Sequence, residues 1–411
     1  MTKPSILVLE AFGNIGETLV DAIRAGGRTV VVATHRDIYD ERYTDRLRAG
    51  IDVPVFVDYA SPAIGAELIE IGRRHGAVAV VTGWEFFTAL ASEVAAGLGL
   101  PGNEPALGLA ARNKWHMAQT LHDAGVNHAA TVHADDLEGL AQQIDGHGLE
   151  YPVVVKPAEN AGSVGVSVVN DPFELSAAVK EAQAWPMEFP HDVPLDNSVL
   201  AQSYIGGREY SVESLAADGE IRHLAITEKH TTHGTFRAET GHTVPAPLDG
   251  HGRELLLEET TRALRALGFR NGAAHTEVKL WNGRPWIIES GLRPAGDHIV
   301  KLVTLATGVD YADAYIRVAT GGELPPVGPA RRCAGVRFIS PERAGKVVAA
   351  PAIEPSEGIV ESAILVAEGD QVGGAANNIS RVAYLIGAAD GRRELDERLE
   401  AAAKSVQVAF E

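Results

Sequence analysis

Apolar residues in the first hundred positions fall into two alternating rhythms. The runs SILVL, RTVVVAT and AVAVV, with the shorter PVFV, are continuous and rich in β-branched residues, as strands buried on both faces are. Between them, GNIGETLVDAIRAGG and AELIEIGRRHG return to an apolar residue every three or four positions, the period of an amphipathic helix. Strand and helix in alternation predict βαβ units and a parallel sheet over residues 1–112.

The rhythm changes at Asn113. KWHMAQTLHDAGV predicts a helix that stops at Gly125, and DLEGLAQQI another. YPVVV and GVSVV then pair as strands around the small-residue loop KPAENAGS, and FELSAAVKEAQAW is a further helix. After the proline-rich PMEFPHDVPLDN come VLAQSYI, EYSVESLAA and EIRHLAITEKH, with turns at GGR and ADGE, the pattern of an antiparallel meander. An irregular THGTFRAETGHTVPAPL precedes the long helix RELLLEETTRALRALG and the hairpin AAHTEVKLWNGRPWIIESGLRPAGDHI. ELPPVGPARR has the composition of a linker, and the tail from Gly322 predicts short strands in GVRFIS, GKVVAA and ESAILVA and a closing helix.

The hairpin has more than one register about Asn282-Gly283. A three-residue loop through Arg284 puts Trp281 opposite Pro285 and Glu277 opposite Glu289. It collects Val278, Leu280, Trp286 and Ile288 on one face and Glu277, Lys279, Trp281, Ile287 and Glu289 on the other. A two-residue loop mixes polar and apolar side chains on both faces, so patterning favours the longer loop. Like charges directly opposite cost about 0.2–1 kcal/mol. A divalent cation removes that cost, and Mg²⁺ takes one or two carboxylates with phosphate oxygens and water in its other positions. A solvated edge, or one protonated glutamate, would remove it equally.

Composition narrows the partners. A hydrophobic fraction of 45% over 411 residues is that of a globular chain with two or three domains, and no apolar run is long enough to span a membrane. The expectation is a soluble, cytoplasmic protein. The single Cys333 excludes an intramolecular disulfide and a cysteine metal cluster. With 36 basic and 55 acidic residues the net charge is −19, which repels nucleic acid backbones and anionic membranes. Anionic ligands must therefore be met by local cations. Lys156, at the end of YPVVVK and just before the loop AENAGS, is such a cation, and glycines in that loop allow backbone N–H groups to close on phosphate; an ordinary hairpin with a solvated lysine is the plainer alternative. The turn Gly13-Asn14-Ile15-Gly16 supplies only part of a dinucleotide fingerprint, with Asp37 as the one acidic candidate downstream.

Taken together these segments resemble the ATP-grasp superfamily, and within it the ATP-dependent carboxylate–amine ligases that join amino acids into dipeptides. The resemblance is strong over residues 113–300 and weaker elsewhere. It implies an α/β fold of three parts: a Rossmann-like parallel-sheet domain at 1–112, a two-subdomain ATP-grasp at 113–321 with a lid over about 125–202, and a small β-rich domain at 322–411. By that likeness Lys114 and Lys156 hold ATP phosphates, and Ala161 to Gly165 form a lid loop with Gly162, Ser163 and backbone N–H groups as donors. Gln202, Ser203, Tyr204 and Ile205 border the adenine, Glu209 takes the ribose hydroxyls and Lys229 reaches the phosphates. Glu277 and Glu289 fall where the family binds Mg²⁺, as one or two ions, or Mn²⁺. The common E-x-N-x-R is ESGLR here, with Gly291 replacing the asparagine that helps hold a second metal. Arg293 matches the arginine on the reacting carboxylate, and Glu239 and His242 line the amino-acid site.

The implied reaction is attack of a carboxylate on the γ-phosphorus of ATP, then attack of a neutral amine on the acyl phosphate, with His242 or Glu239 orienting the amine or taking its proton. Small-molecule acid and amine substrates, no nucleic acid or membrane partner, and a homodimer follow from the same likeness. The alternatives are a carboxylating or formyl-transferring ATP-grasp enzyme of nucleotide biosynthesis, a non-catalytic ATP-binding protein for which Gly291 is the only hint, and a nicotinamide-dependent dehydrogenase resting on the GNIG turn.

Overall fold

The computed structural model describes residues 3–232, 238–341, 343–349, 353, 357–374, 378–406 and 408–411. The first strands form a parallel sheet: β1 (Ser5–Leu9), β2 (Thr29–Thr34), β3 (Val53–Phe56) and β4 (Ala77–Val81), in the order β3-β2-β1-β4. The crossovers run through α1 (Gly13–Ala25), the short α2 (Arg36–Glu41) and α3 (Asp45–Gly50), and α4 (Ile64–His75), and α5 (Thr88–Leu98) follows β4. Ile6 and Val8 pack against Leu19 and Ile23 on one face, while Leu7 and Leu9 meet Leu68 and Val94 on the other. Cover on both faces is why these strands are continuous apolar runs.

The turn after β1 is closed by the protein itself. Glu10, 1% exposed and at φ 61°, accepts from the N–H groups of Ala11 and Phe12 at 2.8 and 2.7 Å, and His191 meets its other oxygen at 2.6 Å. The amides that a pyrophosphate would use are taken, and Asp37 is exposed, which speaks against the dehydrogenase alternative. Gly16 is small for packing, since a Cβ there would lie 2.0 Å from the Ala11 carbonyl oxygen.

α6 (Lys114–Asp123) begins at Asn113, whose Oδ1 accepts from the N–H groups of Trp115 and His116. It leads to a second sheet of β5 (Thr131–Ala134), β6 (Val153–Pro157), β7 (Ser167–Val169) and a later strand, backed by α7 (Leu137–Gly146) and α8 (Leu175–Ala182). The proline-rich segment becomes the small ribbon β8 (Met187–Glu188) and β9 (Val193–Pro194), which carries His191 across to the first sheet. VLAQSYI was expected to open a meander; instead it is β10 (Val199–Ser203), between β5 and β6 in this second sheet. Gly206 and Gly207 redirect the chain after it: Gly207 has φ 82°, and a Cβ there would lie 2.2 Å from the Leu280 carbonyl oxygen.

The third sheet has eight strands. They are β11 (Arg208–Ala217), β12 (Glu220–Thr231), β13 (Glu239–Val244), β14 (Gly272–Trp281), β15 (Arg284–Gly291), β16 (Cys333–Ile339), β18 (Ile359–Ile364) and β20 (Ala383–Ala389), ordered β15-β14-β11-β12-β13-β16-β20-β18. β17 (Gly345–Ala349), β19 (Gln371–Val372) and β21 (Ala409–Phe410) form a small sheet beside it. α9 (Gly250–Ala266) buries Leu256 and Ala263 against Val212, Ile226, Val278 and Ile287. α10 (Ile299–Thr307) and α11 (Tyr311–Ala319) fill the space between this sheet and the first, and α12 (Arg392–Ser405) packs Leu395 and Leu399 on β20. The C-terminal strands thus continue the central sheet, joined to it by β13–β16 pairing. No helix among the described residues is long and apolar enough to cross a membrane.

The β14–β15 register corrects the expected loop. The turn is the two-residue Asn282-Gly283, at φ 51° and 71°, the left-handed pair that this dipeptide favours in hairpins, so Trp281 pairs with Arg284 and Val278 with Ile287. One extra residue, Ile288, is then accommodated in a β-bulge, and Glu277 regains Glu289 as its partner. The shorter turn also reverses the expected faces of Trp286 and Ile287: Trp286 pairs with Lys279, and Ile287 packs with Val278 in the core.

Candidate active site

The second and third sheets and the end of the first enclose a cavity of about 380 Å³, and every site residue singled out from the sequence lines it. The third sheet supplies its floor by alternation. Glu209 of β11 stands opposite Lys279 of β14, Ser211 opposite Glu277 and Glu213 opposite His275, while the intervening Tyr210, Val212 and Val278 point down into the core.

Lys114 and Lys156 mark one end. Lys114 Nζ donates to the Asn160 carbonyl oxygen at 2.7 Å and lies 2.9 Å from Glu289 Oε1. Lys156 is 5% exposed at the end of β6, and burial, with Lys114 acting in the same sense, pushes its ammonium down to about 8 against the opposing pull of Glu289. Above them the loop turns through left-handed Gly162 and Ser163, at φ 66° and 61°.

At the centre Glu277 and Glu289 face each other, and the compensation expected from a metal is already supplied in part by lysines. Lys229 donates to Glu277 Oε1, as Lys114 faces Glu289 Oε1. Burial works against the Glu277 charge, yet Lys229 and His275 hold its carboxyl well below the usual range. Burial likewise opposes charge on His275, but Glu213 at 3.0 Å and Glu277 raise it to about 9. Among the described residues, Oε2 of Glu277 and Oε2 of Glu289 carry no hydrogen bond, so each glutamate keeps an oxygen for a hard cation.

Lys229, expected at phosphates, lines the cavity as the hub of three carboxylates: Glu239 at 2.5 Å, Glu209 at 3.5 Å and Glu277. These acids are close enough together to hold a metal, but the lysine ammonium is already among them. Burial disfavours its charge and the acids more than restore it, Glu239 most of all.

The far end holds Glu239 and His242, which lie on strand β13 and not in an irregular loop; residues 233–237 before them are outside the described residues. His242 Nε2 is 3.4 Å from Asp297 and 3.8 Å from Glu239. Arg381 grips Asp297 through two hydrogen bonds of 2.6 and 2.8 Å, lies over the Phe338 ring at 3.5 Å and is 3.5 Å from Glu239. Asn378 joins Glu239 by a pair of 2.8 Å bonds, one to its backbone and one to its carboxylate. Arg293 donates its Nε–H to Glu85, which begins a short turn (Glu85–Phe87) after β4.

Glu85, Lys279, Asp297, Asn378 and Arg381 were not anticipated. A usable signal existed only for Glu85: it follows the C-terminal end of β4 beside β1, the switch point of a parallel sheet, where ligands collect.

Residues 149–301 match the family described as ATP-grasp domain, and residues 337–411 the L-amino acid ligase C-terminal domain 2. The alanine–anticapsin ligase of Bacillus subtilis (strain 168) is 28% identical over 273 residues, 62% of this chain and 57% of that protein. The dapdiamide A synthase of Enterobacter agglomerans is 32% identical over 199 residues, 47% of this chain and 45% of that one. The chain therefore spans only about half the length of these relatives. The crystal structure of an L-amino acid ligase from Bacillus licheniformis superposes with a TM-score of 0.80 at 20% identity, covering 100% of both chains, which shows a shared fold. Residues 149–301 of the chain thus match an ATP-grasp domain, and the region behind them matches the C-terminal domain 2 of the L-amino acid ligases.

Proposed function

We propose that the protein is an ATP-dependent ligase that joins the carboxylate of an amino acid to an amine, releasing ADP and phosphate. One observation carries this reading: a single cavity gathers two lysines, two opposed glutamates each with an unengaged oxygen, and Arg293. The relatives' printed names, a ligase and a synthase, agree with it.

Lys114 and Lys156 hold the phosphates of ATP, Gly162 and Ser163 cover them, residues 202–205 border the adenine and Glu209 binds the ribose. Glu277 and Glu289 would hold Mg²⁺, which when bound neutralises phosphate oxygens. Arg293 holds the substrate carboxylate, whose oxygen attacks the γ-phosphorus and expels ADP. The amine then adds to the acyl carbon while Arg293 steadies the oxyanion, and phosphate leaves with the acyl oxygen. His242 and Glu239 sit where the amine's surplus proton would go; burial raises the Glu239 carboxyl, with Lys229 opposing, which suits it to accept one.

The test is phosphate release from Mg·ATP with paired amino acids and amines, each positive pair examined by mass spectrometry. A product lighter than the two substrates by one water supports the ligase. Release that needs only one substrate, with no amide formed, removes it.

A further inference from the structure

Next to the cavity lies a second space. A groove of about 940 Å³ opens between α6, the start of β5, the residues before β6 and the turn end of the β14–β15 hairpin. It shares only Ser203, Tyr204 and Ile205 with the first cavity, so this segment is a partition between the two. Ser203 is tied to the groove's edge: its N–H donates to the Ala130 carbonyl oxygen at 2.8 Å and its Oγ accepts from the Ala130 N–H at 3.0 Å.

Aromatic rings line the groove: Trp115, Tyr151, Tyr204, Trp281 and Trp286. Trp281 and Trp286 form a corner, with ring centroids 6.4 Å apart and planes inclined at 56°. Trp281 is 36% exposed and lies against the chain at Gly206, where a Cβ would come within 2.7 Å of its Nε1. Trp115 is backed by His133, stacked on it at 5.1 Å. Asp123 and Glu150 are exposed on the groove beside His122 and His128, and among the described residues that line it there is no lysine or arginine. Ring faces combined with carboxylates attract a cation and disfavour an anion. The Arg284 guanidinium lies over Trp286 at 5.5 Å, so one of these rings already takes a cation from within the chain.

We propose that this groove binds an organic ammonium ion, alkyl or aryl, and that its binding strengthens that of the nucleotide across the partition. An ammonium wrapped in alkyl groups carries its charge on an apolar surface, which indole faces meet without a hydrogen bond. The bound cation stands one chain's thickness from an anionic nucleotide, so their charges attract. By linkage each ligand then tightens the other by the same factor. The coupling rests on the ligase reading, which puts adenine against residues 202–205; the groove itself does not.

Two probe pairs test this on the full chain: choline with its uncharged isostere 3,3-dimethyl-1-butanol, and benzyltrimethylammonium with benzyl alcohol. Calorimetry without nucleotide should show saturable binding of at least one ammonium, about 5- to 30-fold tighter than its uncharged counterpart, the value of a cation held against rings. Trp281→Leu should remove most of that preference and Trp281→Phe should restore part, while Glu150→Gln should weaken the ammonium alone. Thermal melts confirm that each variant folds. Saturating ammonium should tighten a Mg²⁺-bound, non-hydrolysable ATP analogue about 2- to 5-fold at low salt, an effect absent in Trp281→Leu. Binding of neither ammonium, or binding that Trp281→Leu and Glu150→Gln leave unchanged, would overturn the site. Binding with no change in nucleotide affinity would overturn the coupling. A dimer in sedimentation that Trp281→Leu dissociates would give the groove to a second copy and overturn the proposal. Ammonium binding by a protein that binds no ATP analogue would sink the ligase reading and leave the site standing.

Discussion

Glu277 and Glu289 face each other across the β14–β15 hairpin, and each is matched by a lysine from a different part of the chain: Lys229 on β12 for the first, Lys114 on α6 for the second. The pair is therefore tolerated before any metal arrives, while its two free oxygens remain. Glu277→Gln and Glu289→Gln should each lower phosphate release by about 100-fold or more, the scale on which removing a charge-stabilising group acts. A Mg²⁺ titration of each variant checks this, since loss of a ligand also raises the Mg²⁺ required. Wild-type Mg²⁺ dependence in both variants would place the metal elsewhere.

Lys229 has a structural task beyond the site. Replacing it by methionine leaves Glu209, Glu239 and Glu277 without their shared cation, and stranding buried charge costs about 3–5 kcal/mol. Urea unfolding of Lys229→Met should show a loss of that order, and adding Glu239→Gln should recover part of it. A variant as stable as the wild type would mean that the acids simply take up protons.

Nucleotide affinity should depend on pH through Lys156. Burial holds its ammonium at about 8, and an anion binds the protonated form, so affinity is full below that value and falls as pH rises through it. Lys156→Arg keeps its charge and should flatten the profile. ATP dissociation constants measured across about pH 7 to 9.5, a range that brackets the transition, decide the matter.

His191 gives a second pH signature, this time in stability. Burial opposes its charge, but Glu10 at 2.6 Å and Glu188 at 3.0 Å raise its pKa to about 9; Tyr43 and Tyr59, the other titratable groups around Glu10, are themselves pushed upward by burial. A folded value above the unfolded 6.5 means that the contribution is fully present below about pH 6.5 and is lost as pH rises through 9. At about 1.4 kcal/mol per pH unit the contribution is roughly 3 kcal/mol. The unfolding free energy of the wild type, from urea titrations, should fall between pH 7 and pH 9.5 by about that order, whereas His191→Gln should be less stable at pH 7 and nearly level.

Much of this architecture was legible because its cause is local. The continuous apolar strands of the first sheet, the helix opened by Asn113 and the lysine closing YPVVVK all follow from patterns a few residues long. The opposed glutamates were reached through the wrong loop: face patterning favoured a three-residue turn, but the backbone preference of Asn-Gly fixed a two-residue one and the Ile288 bulge restored the pairing. VLAQSYI was assigned to the wrong sheet because strand pattern says nothing about partners, and β20 was missed within a tail whose strands are short. The unanticipated cavity residues have partners far away in sequence, Glu85 being 208 residues from Arg293 and Arg381 84 residues from Asp297. No window along the chain contains such a pair.

The pairing of β13 with β16 has a consequence for any attempt to shorten the molecule. A chain ending before Cys333 would lose Asn378 and Arg381 from the cavity and would also bare the backbone of Gly241 to Val244 along one side. An unpaired strand of this kind is a template for intermolecular addition. The truncated product should therefore self-associate before its catalysis could be assayed, so the final residues guard solubility as well as completing the pocket.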